Sequence, residues 1–515
     1  MNLKNFVCLL LVLDLTVNKI VCYNILVVFG HPGKSHYDVF EDMFRALAER
    51  GHKLTILSHV NSPHHENIRH ILFRDSEPLL HDVSITESRG KGFTYMVDQL
   101  NMLSRFGSRN CKRDLQSPQF QSFLKEEHEY DLIIGEMFNT VCYDGLATKY
   151  NVPFIGISSC FYMPWHSGFF GIPFNTAYMP NVLLDMKAPL TFLARVQNTV
   201  THLFSLLWFK LYLFEEGQEM SKRYIGYEPA DPYKASLLLV NIHHTLNGVT
   251  ALPPNVIEVG GIHVVNKKPK KLPQDIENWI NNSEHGVIYF SLGSMIKGHT
   301  FPEEQRKAFI RAFAKLPQRI LWKWENETML DKPDNVMISK WMPQFDILSH
   351  SNVKVFISHG GMLGTIEAIF NGKPIIIIPH FGDQAHNARN LERKEVGIFL
   401  DMHDATEGAI SAALQKALNS KILEKVKSVS EQFRDRPMSP MDSAIYWVEY
   451  VAKHRETLHM RSEAIDVPFY QYYLIDVATF LFGIIASFLF TLYKIAKLIL
   501  RVITRFSKNA KQKRL

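Results

Sequence analysis

Hydrophobic and polar positions follow one repeating pattern along most of this 515-residue chain: a short apolar run, a turn, and a segment with apolar residues at helical spacing. The first apolar run, residues 23–29, is followed by a predicted helix at 36–50 that places Phe40 and Leu47 on one face. A second strand is predicted at 53–58. This order of elements predicts a βαβ unit and therefore a parallel sheet.

The alternation resumes further along the chain and repeats after a basic segment, NKKPKKLP at 266–273. Before that segment, the pattern predicts four strands and one short helix, at 131–134, 143–150 (the helix), 154–158, 237–241 and 256–259. After it, the pattern predicts strands at 287–291, 320–323, 336–339, 353–358 and 374–379, and helices at 302–316, 406–419 and 439–453. Two alternating halves across a connector predict an α/β protein with two doubly wound, Rossmann-like domains facing a cleft.

The length of the chain also exceeds that of one ordinary domain. We place the N-terminal domain at 23–262, a linker at 263–284 and the C-terminal domain at 285–462.

Both ends of the chain are apolar, but to different extents. Lys4 precedes an apolar run at 6–13 that is too short to span a membrane, which predicts a secretory signal peptide at 1–22, with an uncleaved anchor as the alternative. Residues 472–493 hold a longer stretch that is uncharged from Val477 onward, which predicts a transmembrane helix. A buried core helix is disfavoured, because a basic tail rather than a domain follows.

The tail at 494–515 has eight Lys or Arg and no acidic residue. The positive-inside rule places it in the cytosol and the preceding domains in the lumen, as a single-pass type I protein. Removing these eight charges from the net charge of +6 leaves −2, which argues against nucleic acid as a partner. Lys511 and Lys513 resemble a dilysine retrieval signal, which predicts the endoplasmic reticulum membrane.

Sequons and cysteines are compatible with a luminal domain. Asn281 and Asn326 each begin an Asn-x-Ser/Thr sequence and are predicted glycosylation sites. Outside the signal, Cys111, Cys142 and Cys160 allow one disulfide and one free thiol, and their spacing does not suggest zinc.

The segment at 190–214 departs from the alternation because it is apolar, aromatic and free of acidic residues. Two interpretations stay open: a buried helical pair in the N-terminal domain, or a helix that faces a membrane. Either one suits a cleft that receives apolar molecules.

The most specific chemistry lies at 341–384. His359-Gly360-Gly361 follows a strand and opens a short helix, whose free N–H groups and dipole suit a phosphate. Glu367 lies on that helix, and Asp383 and Gln384 follow the next strand, so all are aimed at one crevice. Trp341 offers a flat face for a base. Together these residues predict a site for a nucleoside diphosphate that carries a sugar.

These residues and their spacing resemble those of the UDP-glycosyltransferase family, and the resemblance covers nearly the whole chain. It implies the GT-B fold, an acceptor-binding N-terminal domain and a donor-binding C-terminal domain. It also implies that Trp341 stacks on uracil, Gln344 and Glu367 hold the ribose, His359 contacts the diphosphate, and Asp383 and Gln384 hold the sugar. The remaining implied UDP-sugar contacts are Ser294, Met342, Gly361, Gly364 and Thr365. Leu363 stands where many relatives have Asn, so one polar contact is expected to be missing or replaced by backbone.

The sequence also offers a general base. Ser35 is a predicted N-cap, which places His36 in the first turn of a helix, at the carboxyl edge of the first strand. The helix dipole there favours a neutral imidazole that can take a proton from an attacking hydroxyl. The resemblance places the family's base at His36, with His31 as competitor, and its partner carboxylate at Glu136, where Asp is usual. Asp144 is the alternative partner.

The predicted reaction is therefore an inverting transfer of a sugar from a UDP-sugar to the hydroxyl of a small lipophilic acceptor. No metal ion and no cofactor are expected, since the sequence shows no Asp-x-Asp pair and the UDP-sugar is a co-substrate. The pattern looks closest to invertebrate, especially insect, members, which favours glucose over glucuronic acid. A non-catalytic sugar-nucleotide- or lipophile-binding protein is the alternative, and a homo-oligomer is compatible with the sequence.

Overall fold

The computed structural model describes residues 21–73, 92–229, 231, 235–455 and 457–512. The predicted signal peptide lies outside the described residues except for its last two positions, and so does the end of the tail from 513 onward. The chain divides into two compact units, Met1–Arg461 and Ser462–Leu515.

The first half of the larger unit is built on a seven-stranded parallel sheet in the order β3-β2-β1-β4-β5-β6-β7. Its strands are β1 Asn24–Phe29, β2 Lys53–Ser58, β3 Ile68–Leu72, β4 Leu132–Glu136, β5 Phe154–Ser158, β6 Leu237–Val240 and β7 Val256–Glu258. Strand β1 is almost entirely apolar because it is buried on both faces, as central parallel strands are. The order reverses direction between β1 and β4, so a crevice is expected beyond their carboxyl ends.

Helices cover both faces of this sheet. They are α1 Lys34–Glu49, α2 Gly92–Gln116, α3 Pro118–Lys125, α4 Gly145–Tyr150, α5 Pro164–Phe170, α6 Phe192–Trp208, α7 Glu215–Ile225 and α8 His244–Asn247, with a π-helical turn at Phe209–Phe214 between α6 and α7. Helix α1 begins one residue after Gly33, so the predicted N-cap at Ser35 was wrong: Ser35 is the second residue of the helix, and Gly33 in extended conformation is the cap. His36 still lies in the first turn.

The second half is built on a six-stranded parallel sheet in the order β10-β9-β8-β11-β12-β13. Its strands are β8 Val287–Ser291, β9 Arg319–Lys323, β10 Val336–Ser339, β11 Val353–Ser358, β12 Ile375–Ile377 and β13 Gly397–Phe399. Its helices are α9 Gln274–Asn281, α10 Glu303–Ala314, α11 Gln344–Ser349, α12 Met362–Phe370, α13 Gln384–Arg393, α14 Glu407–Ala417, α15 Ser420–Arg434 and α16 Pro440–His454. Here the order reverses between β8 and β11, so the two sheets share one topological plan.

Helix α16 leaves the second half and packs against the first. Its buried side chains, among them Ile445 and Val448, belong to the same apolar core as Phe40 and Leu47 of α1. Glu449 accepts hydrogen bonds from Arg50 at 3.3 Å and from His52 at 3.2 Å. The predicted C-terminal domain at 285–462 is continuous in sequence. Its last helix, α16, nevertheless belongs to the apolar core of the first sheet.

One disulfide joins Cys111 of α2 to Cys142, and Cys160 is a buried free thiol. This resolves the pairing that the sequence left open.

The smaller unit contains α17 Phe469–Tyr472 and a long helix, α18 Ile475–Gln512. Within the described residues, Ile475–Ser507 is long and apolar enough to cross a membrane, judged by length and composition. The predicted span at 472–493 falls largely on this segment, and the basic tail continues the same helix.

Candidate active site

His36 and Glu136 form a hydrogen-bonded pair where β1 and β4 end. Nδ1 of His36 lies 2.8 Å from Oε1 of Glu136, and the two side chains are 18% and 2% exposed. Glu136 is the last residue of β4, and His36 enters from α1 just after the neighbouring strand. Glu136, rather than the alternative Asp144, thus meets the imidazole, and the extra methylene of Glu relative to Asp is accommodated.

The pairing determines which nitrogen is available for chemistry. A carboxylate only accepts hydrogen bonds, so Nδ1 of His36 carries a hydrogen and donates a hydrogen bond to Glu136. In the neutral ring, Nε2 then holds a lone pair that can take a proton from a hydroxyl group. The remaining exposure of His36 leaves a path for such a group to reach it.

Two rings hold the His36 imidazole in place. His31 stacks on it with ring centroids 4.1 Å apart, and Phe138 contacts it edge-on at 4.9 Å. Nδ1 of His31 accepts a hydrogen bond from the backbone N–H of Gly33 at 3.0 Å. Burial, reinforced by the nearby His36, lowers the pKa of His31 well below its ordinary value, so His31 stacks as a neutral ring. His31 therefore supports His36 in this geometry.

His31, His36 and Glu136 also bring three ligand atoms within 4.8 Å of one another, as a metal site would. Nδ1 of His36 is already bonded to Glu136, and Nδ1 of His31 to Gly33. A metal ion on Nε2 of His36 would occupy the lone pair that proton transfer needs. The expectation that no metal takes part stays a prediction.

The corresponding reversal point of the second sheet, between β8 and β11, is built from glycines around one histidine. A Cβ on Gly293, which has φ +82°, would lie 2.7 Å from the ring of His359, and a Cβ on Gly361 would lie 2.6 Å from it. Only glycine lets the two loops close over this ring. Gly361 is also the N-cap of α12, so the free N–H groups of that helix begin here.

His359 is partly buried and neutral. Burial, together with the charge of Lys323, lowers its pKa to about 4. Among the described residues its Nδ1 has no hydrogen-bond partner, and neither has Oγ1 of the buried Thr365 on α12. Unpaired polar atoms beside a helix N-terminus are suited to a ligand with phosphate oxygens.

Gln344, at the start of α11, contacts Glu367, in the middle of α12. Nε2 of Gln344 donates to Oε2 of Glu367 at 2.7 Å, and Nζ of Lys267 lies 3.8 Å from Oε1 of the same carboxylate. Burial raises the pKa of Glu367, and the nearby Lys267 opposes that rise. Gly364 leaves room for this contact, since a Cβ there would lie 3.0 Å from Nε2 of Gln344.

Asp383 and Gln384 close the turn between β12 and α13. Oε1 of Gln384 accepts from the backbone N–H groups of His380 at 2.9 Å and Phe381 at 3.3 Å. Oδ2 of Asp383 accepts from Asn387 at 2.9 Å. Burial raises the pKa of Asp383, while its hydrogen bond to Asn387 and the charge of His36 oppose the rise. Asp383 and His36 thus interact electrostatically, although they belong to different halves.

Three predicted donor contacts lie at the edge of this arrangement. Trp341 is 69% exposed, which leaves its ring free to stack. Met342 packs in the core with Phe345, so only its backbone is available for a ligand. Ser294 is exposed beyond β8, next to Gly293.

Several contacts hold the two halves together around the cleft. The side chain of Gln99 on α2 accepts from the backbone N–H of Gly382 at 2.6 Å. Arg389 of α13 forms a two-pronged ion pair with Asp185, at 2.6 and 3.1 Å. The turn that carries Asp383 is therefore fastened to the half that carries His36.

Leu363, where the resemblance led us to expect a missing polar contact, has a packing role. Its partly buried side chain packs against the core of the first sheet. Its carbonyl accepts a hydrogen bond at 3.3 Å from Nε2 of His263, whose pKa burial lowers to about 3. Leu363 thus provides an apolar contact between the halves.

Sequence reasoning missed two lysines at this site. Lys323 ends β9, a strand-end position that could have been read as cleft-facing, and donates to the carbonyl of Gly293 at 2.8 Å. Lys267 was interpreted only as part of a basic linker. Its contact with Glu367 depends on the path of the linker, which sequence periodicity does not reveal.

Two Rossmann-like domains with both reversal points facing one cleft are the arrangement of the GT-B fold. The solved structure of glycosyltransferase VinC in complex with dTDP shares this fold with a TM-score of 0.55, over 84% of this chain and 99% of that one, at 14% identity.

Sequence relatives are more specific. A family model described as "UDP-glucoronosyl and UDP-glucosyl transferase" matches residues 33–512. The chain is 38% identical to UDP-glycosyltransferase UGT5 of Dactylopius coccus, over 93% of this chain and 92% of that protein. It is 36% identical to UDP-glucosyltransferase 2 of the same insect, over 95% and 96%. The chain belongs to the UDP-glycosyltransferase family and is an enzyme, which confirms the sequence prediction and its insect affinity.

Proposed function

We propose that this enzyme transfers glucose from UDP-glucose to a hydroxyl group of small lipophilic acceptors, with inversion at the anomeric carbon. The observation that carries the proposal is the 2.8 Å hydrogen bond between His36 and Glu136 at the carboxyl ends of β1 and β4. It leaves Nε2 of His36 as the base on the half opposite the donor residues.

In this mechanism the acceptor oxygen attacks the anomeric carbon as UDP leaves from the opposite face. Nε2 of His36 takes the hydroxyl proton, and Glu136 stabilises the imidazolium that forms. The N-terminus of α12 and the ring of His359 meet the negative charge that develops on the departing diphosphate. Asp383 and Gln384 hold the sugar, Gln344 and Glu367 the ribose, and Trp341 the uracil.

The preference for glucose is supported by the printed name of one relative, a glucosyltransferase that the chain matches over almost its full length. A lipophilic acceptor is supported by the aromatic-rich core cluster of the first half, whose Phe161 reaches the second half and contacts the ring of His386 at 4.9 Å.

We also propose that the enzyme is a single-pass protein of the endoplasmic reticulum membrane with a luminal catalytic part. The apolar segment Ile475–Ser507 supports a span. Asn281 and Asn326 are both exposed, as glycosylation acceptors must be. A mobility shift on deglycosylation that disappears when both are replaced by Gln would support luminal placement. Unmodified protein from a secretory host would contradict it.

A UDP-release assay tests the function. Full-length enzyme in microsomes is given UDP-glucose or UDP-glucuronic acid with a panel of phenols, steroids and flavonoids. We expect UDP release and a glucoside of inverted configuration with UDP-glucose. Release of UDP only with UDP-glucuronic acid would contradict UDP-glucose as the donor. Tight binding of the UDP-sugar without release of UDP across the panel would favour a binding protein.

A further inference from the structure

The side chain of Lys267 lies against a residue of the proposed donor site. Lys267 belongs to the segment between the two sheets, yet its Nζ lies 3.8 Å from Oε1 of Glu367 in the middle of α12. The same ammonium group lies 4.8 Å from the centroid of the Phe345 ring on α11. A carboxylate and the face of an aromatic ring both attract a cation. Lys267 therefore has defined partners although its side chain is 39% exposed.

Buried residues fix the backbone that leads to Lys267. Val264 is 1% exposed and packs in an apolar core of the second half. The backbone N–H of Lys267 donates to the carbonyl of Val264 at 3.1 Å. Nε2 of His263 donates to the carbonyl of Leu363 at 3.3 Å, which ties the segment to α12 one turn before Glu367. The direction of the Lys267 side chain is thus set by the fold and not by its charge alone.

Glu367 is suited to accept several hydrogen bonds. It is 4% exposed, and its Oε2 accepts from Nε2 of Gln344 at 2.7 Å. A carboxylate has about four lone-pair positions, so Gln344 and Lys267 leave others for the hydroxyl groups of a ligand. Only the charged form offers all of them, since protonation turns one oxygen into a donor. The charge of Glu367 therefore matters for binding as much as its position does.

The surroundings of Glu367 act against its charge. Burial raises its pKa, and nearby acidic side chains add to the rise. The groups that face it from other elements are the carboxylates of Asp38 on α1 and Asp346 on α11, and the buried phenol of Tyr289 on β8. Lys267 and the hydrogen bond from Gln344 oppose this rise. Burial raises the pKa of Asp38 as well, and Lys34 and Lys267 oppose it there. Lys267 thus balances one carboxylate of each half.

We propose that Lys267 is a positioning residue of the donor site, which holds the buried side chain of Glu367 as a carboxylate that accepts hydrogen bonds from the ribose hydroxyls. This rests on the proposed function, in which Glu367 binds the ribose, and adds to it a residue from the segment between the halves. Lys267 acts through Glu367, since hydrogen bonds to a charged acceptor are about twice as strong as those to a neutral one.

Calorimetry of the full-length enzyme with two ligands tests the proposal. UDP and 2′,3′-dideoxy-UDP differ only in the ribose hydroxyls, so contacts to the uracil and the diphosphate cancel in the ratio of their dissociation constants. Lys267→Met keeps a long side chain without its charge, and Lys267→Arg keeps the charge. Lys268→Met, at the exposed neighbouring position of the same segment, is the matched control.

We expect the wild type to bind UDP about 10-fold more tightly than the dideoxy analogue, because the hydroxyls donate to a charged acceptor. In Lys267→Met this ratio should fall to about 3-fold, since the hydrogen bonds to a protonated carboxyl are weaker. Lys267→Arg and Lys268→Met should keep the ratio of the wild type. An unchanged ratio in Lys267→Met, or equal weakening of both ligands, would overturn the role of Lys267.

The pH dependence of the ratio separates charge from structure. Without Lys267, a proton on Glu367 competes with the ribose, so the ratio in Lys267→Met should fall further from about pH 8 to about pH 6. The wild-type ratio should stay constant, since titration of the diphosphate affects both ligands alike. Parallel profiles for the two proteins would contradict the proposal. A wild type that binds both ligands equally, or neither, would instead refute the assignment of Glu367 to the ribose, before any variant is compared.

Discussion

The two reversal points of this protein have the same topology but different chemistry. Between β1 and β4 the chain places ionisable side chains, His36 and Glu136, in direct contact. Between β8 and β11 it places glycines, the N-terminus of a helix and a neutral His359. The difference follows from the tasks we propose. Moving a proton requires a side chain that can carry it, whereas binding a diphosphate is achieved by backbone N–H groups that must be approached closely.

The largest effect is predicted for His36→Ala, which removes the proposed base from the first reversal point. Without the base, we expect turnover to fall by about 10²–10⁴-fold, the range for a positioned acid–base group. UDP affinity, measured by calorimetry, should stay unchanged because the donor residues lie in the other half. His64→Ala, in an exposed loop, is the control. Normal turnover in the His36 variant would remove the mechanism.

The next effect concerns Glu136→Gln, which keeps the shape of the side chain but removes its charge. We expect kcat to fall by about 10²-fold, since the imidazolium loses its stabilising partner. The kcat of Glu136→Asp should lie between that of Glu136→Gln and that of the wild type. The exposed Glu129→Gln serves as the control, and a rise in KM alone would show that Glu136 only shapes the acceptor pocket.

On the donor side we predict a different kinetic signature. The Cβ of Gly361→Ala would press on His359, and overpacking of this kind costs about 1–3 kcal/mol. We expect the KM for the UDP-sugar to rise by about 10-fold with a smaller change in kcat. Gly408→Ala, where a Cβ would meet nothing within 4 Å, is the matched control. An unchanged KM for the UDP-sugar would contradict a donor site built from Gly361 and His359.

Trp341→Ala should have a moderate effect. Stacking of a base on an aromatic ring contributes about 1–3 kcal/mol, and the exposure of Trp341 places it at the lower end, so UDP affinity should fall by about 5–10-fold. Thermal stability should not change, because the ring is on the surface. Leu330→Ala, equally exposed, is the control. An unfolding shift without loss of affinity would instead make Trp341 structural.

The smallest effect is one of pH. The folded pKa of His359, about 4, lies below the ordinary value of 6.5, so between these values only the unfolded chain binds the proton. Its contribution to stability is complete above about pH 6.5 and is lost as the pH falls toward 4. Other buried histidines such as His263 add their own loss, so the part due to His359 is measured as the difference between the wild type and His359→Gln. We expect this part to lower the melting temperature by about 2–4 °C between about pH 7 and pH 5. Saturating UDP should reduce this loss of stability. An equal loss with UDP would show that the diphosphate does not bind beside His359.

Much of the architecture could be predicted from the sequence, because apolar runs followed by helical periodicity specify parallel strands and their crossovers. The strand-end positions of Glu136, His359 and Asp383 followed from the same pattern. What could not be predicted depends on contacts between distant segments. Leu363 was read only as a missing polar contact, because its packing partners lie on the other sheet.

Local rules also failed where tertiary structure overrode them. Ser35 has the side chain of an N-cap, yet the helix starts earlier at Gly33, whose extended backbone follows from the tight turn that carries His31. The segment at 190–214 stayed ambiguous because periodicity alone does not tell which face of a helix is buried. The hydrogen bonds of Asn198 decide that question.

The return of α16 to the first sheet has a consequence for biosynthesis. Glu449 pairs with Arg50 across 399 residues, so the N-terminal domain lacks part of its core until almost the whole catalytic region has been made. At 5–20 residues per second, translation of that stretch takes about 20–80 s. Nascent chains would meanwhile expose Phe40 and its neighbours, and would depend on chaperones until the last helix arrives.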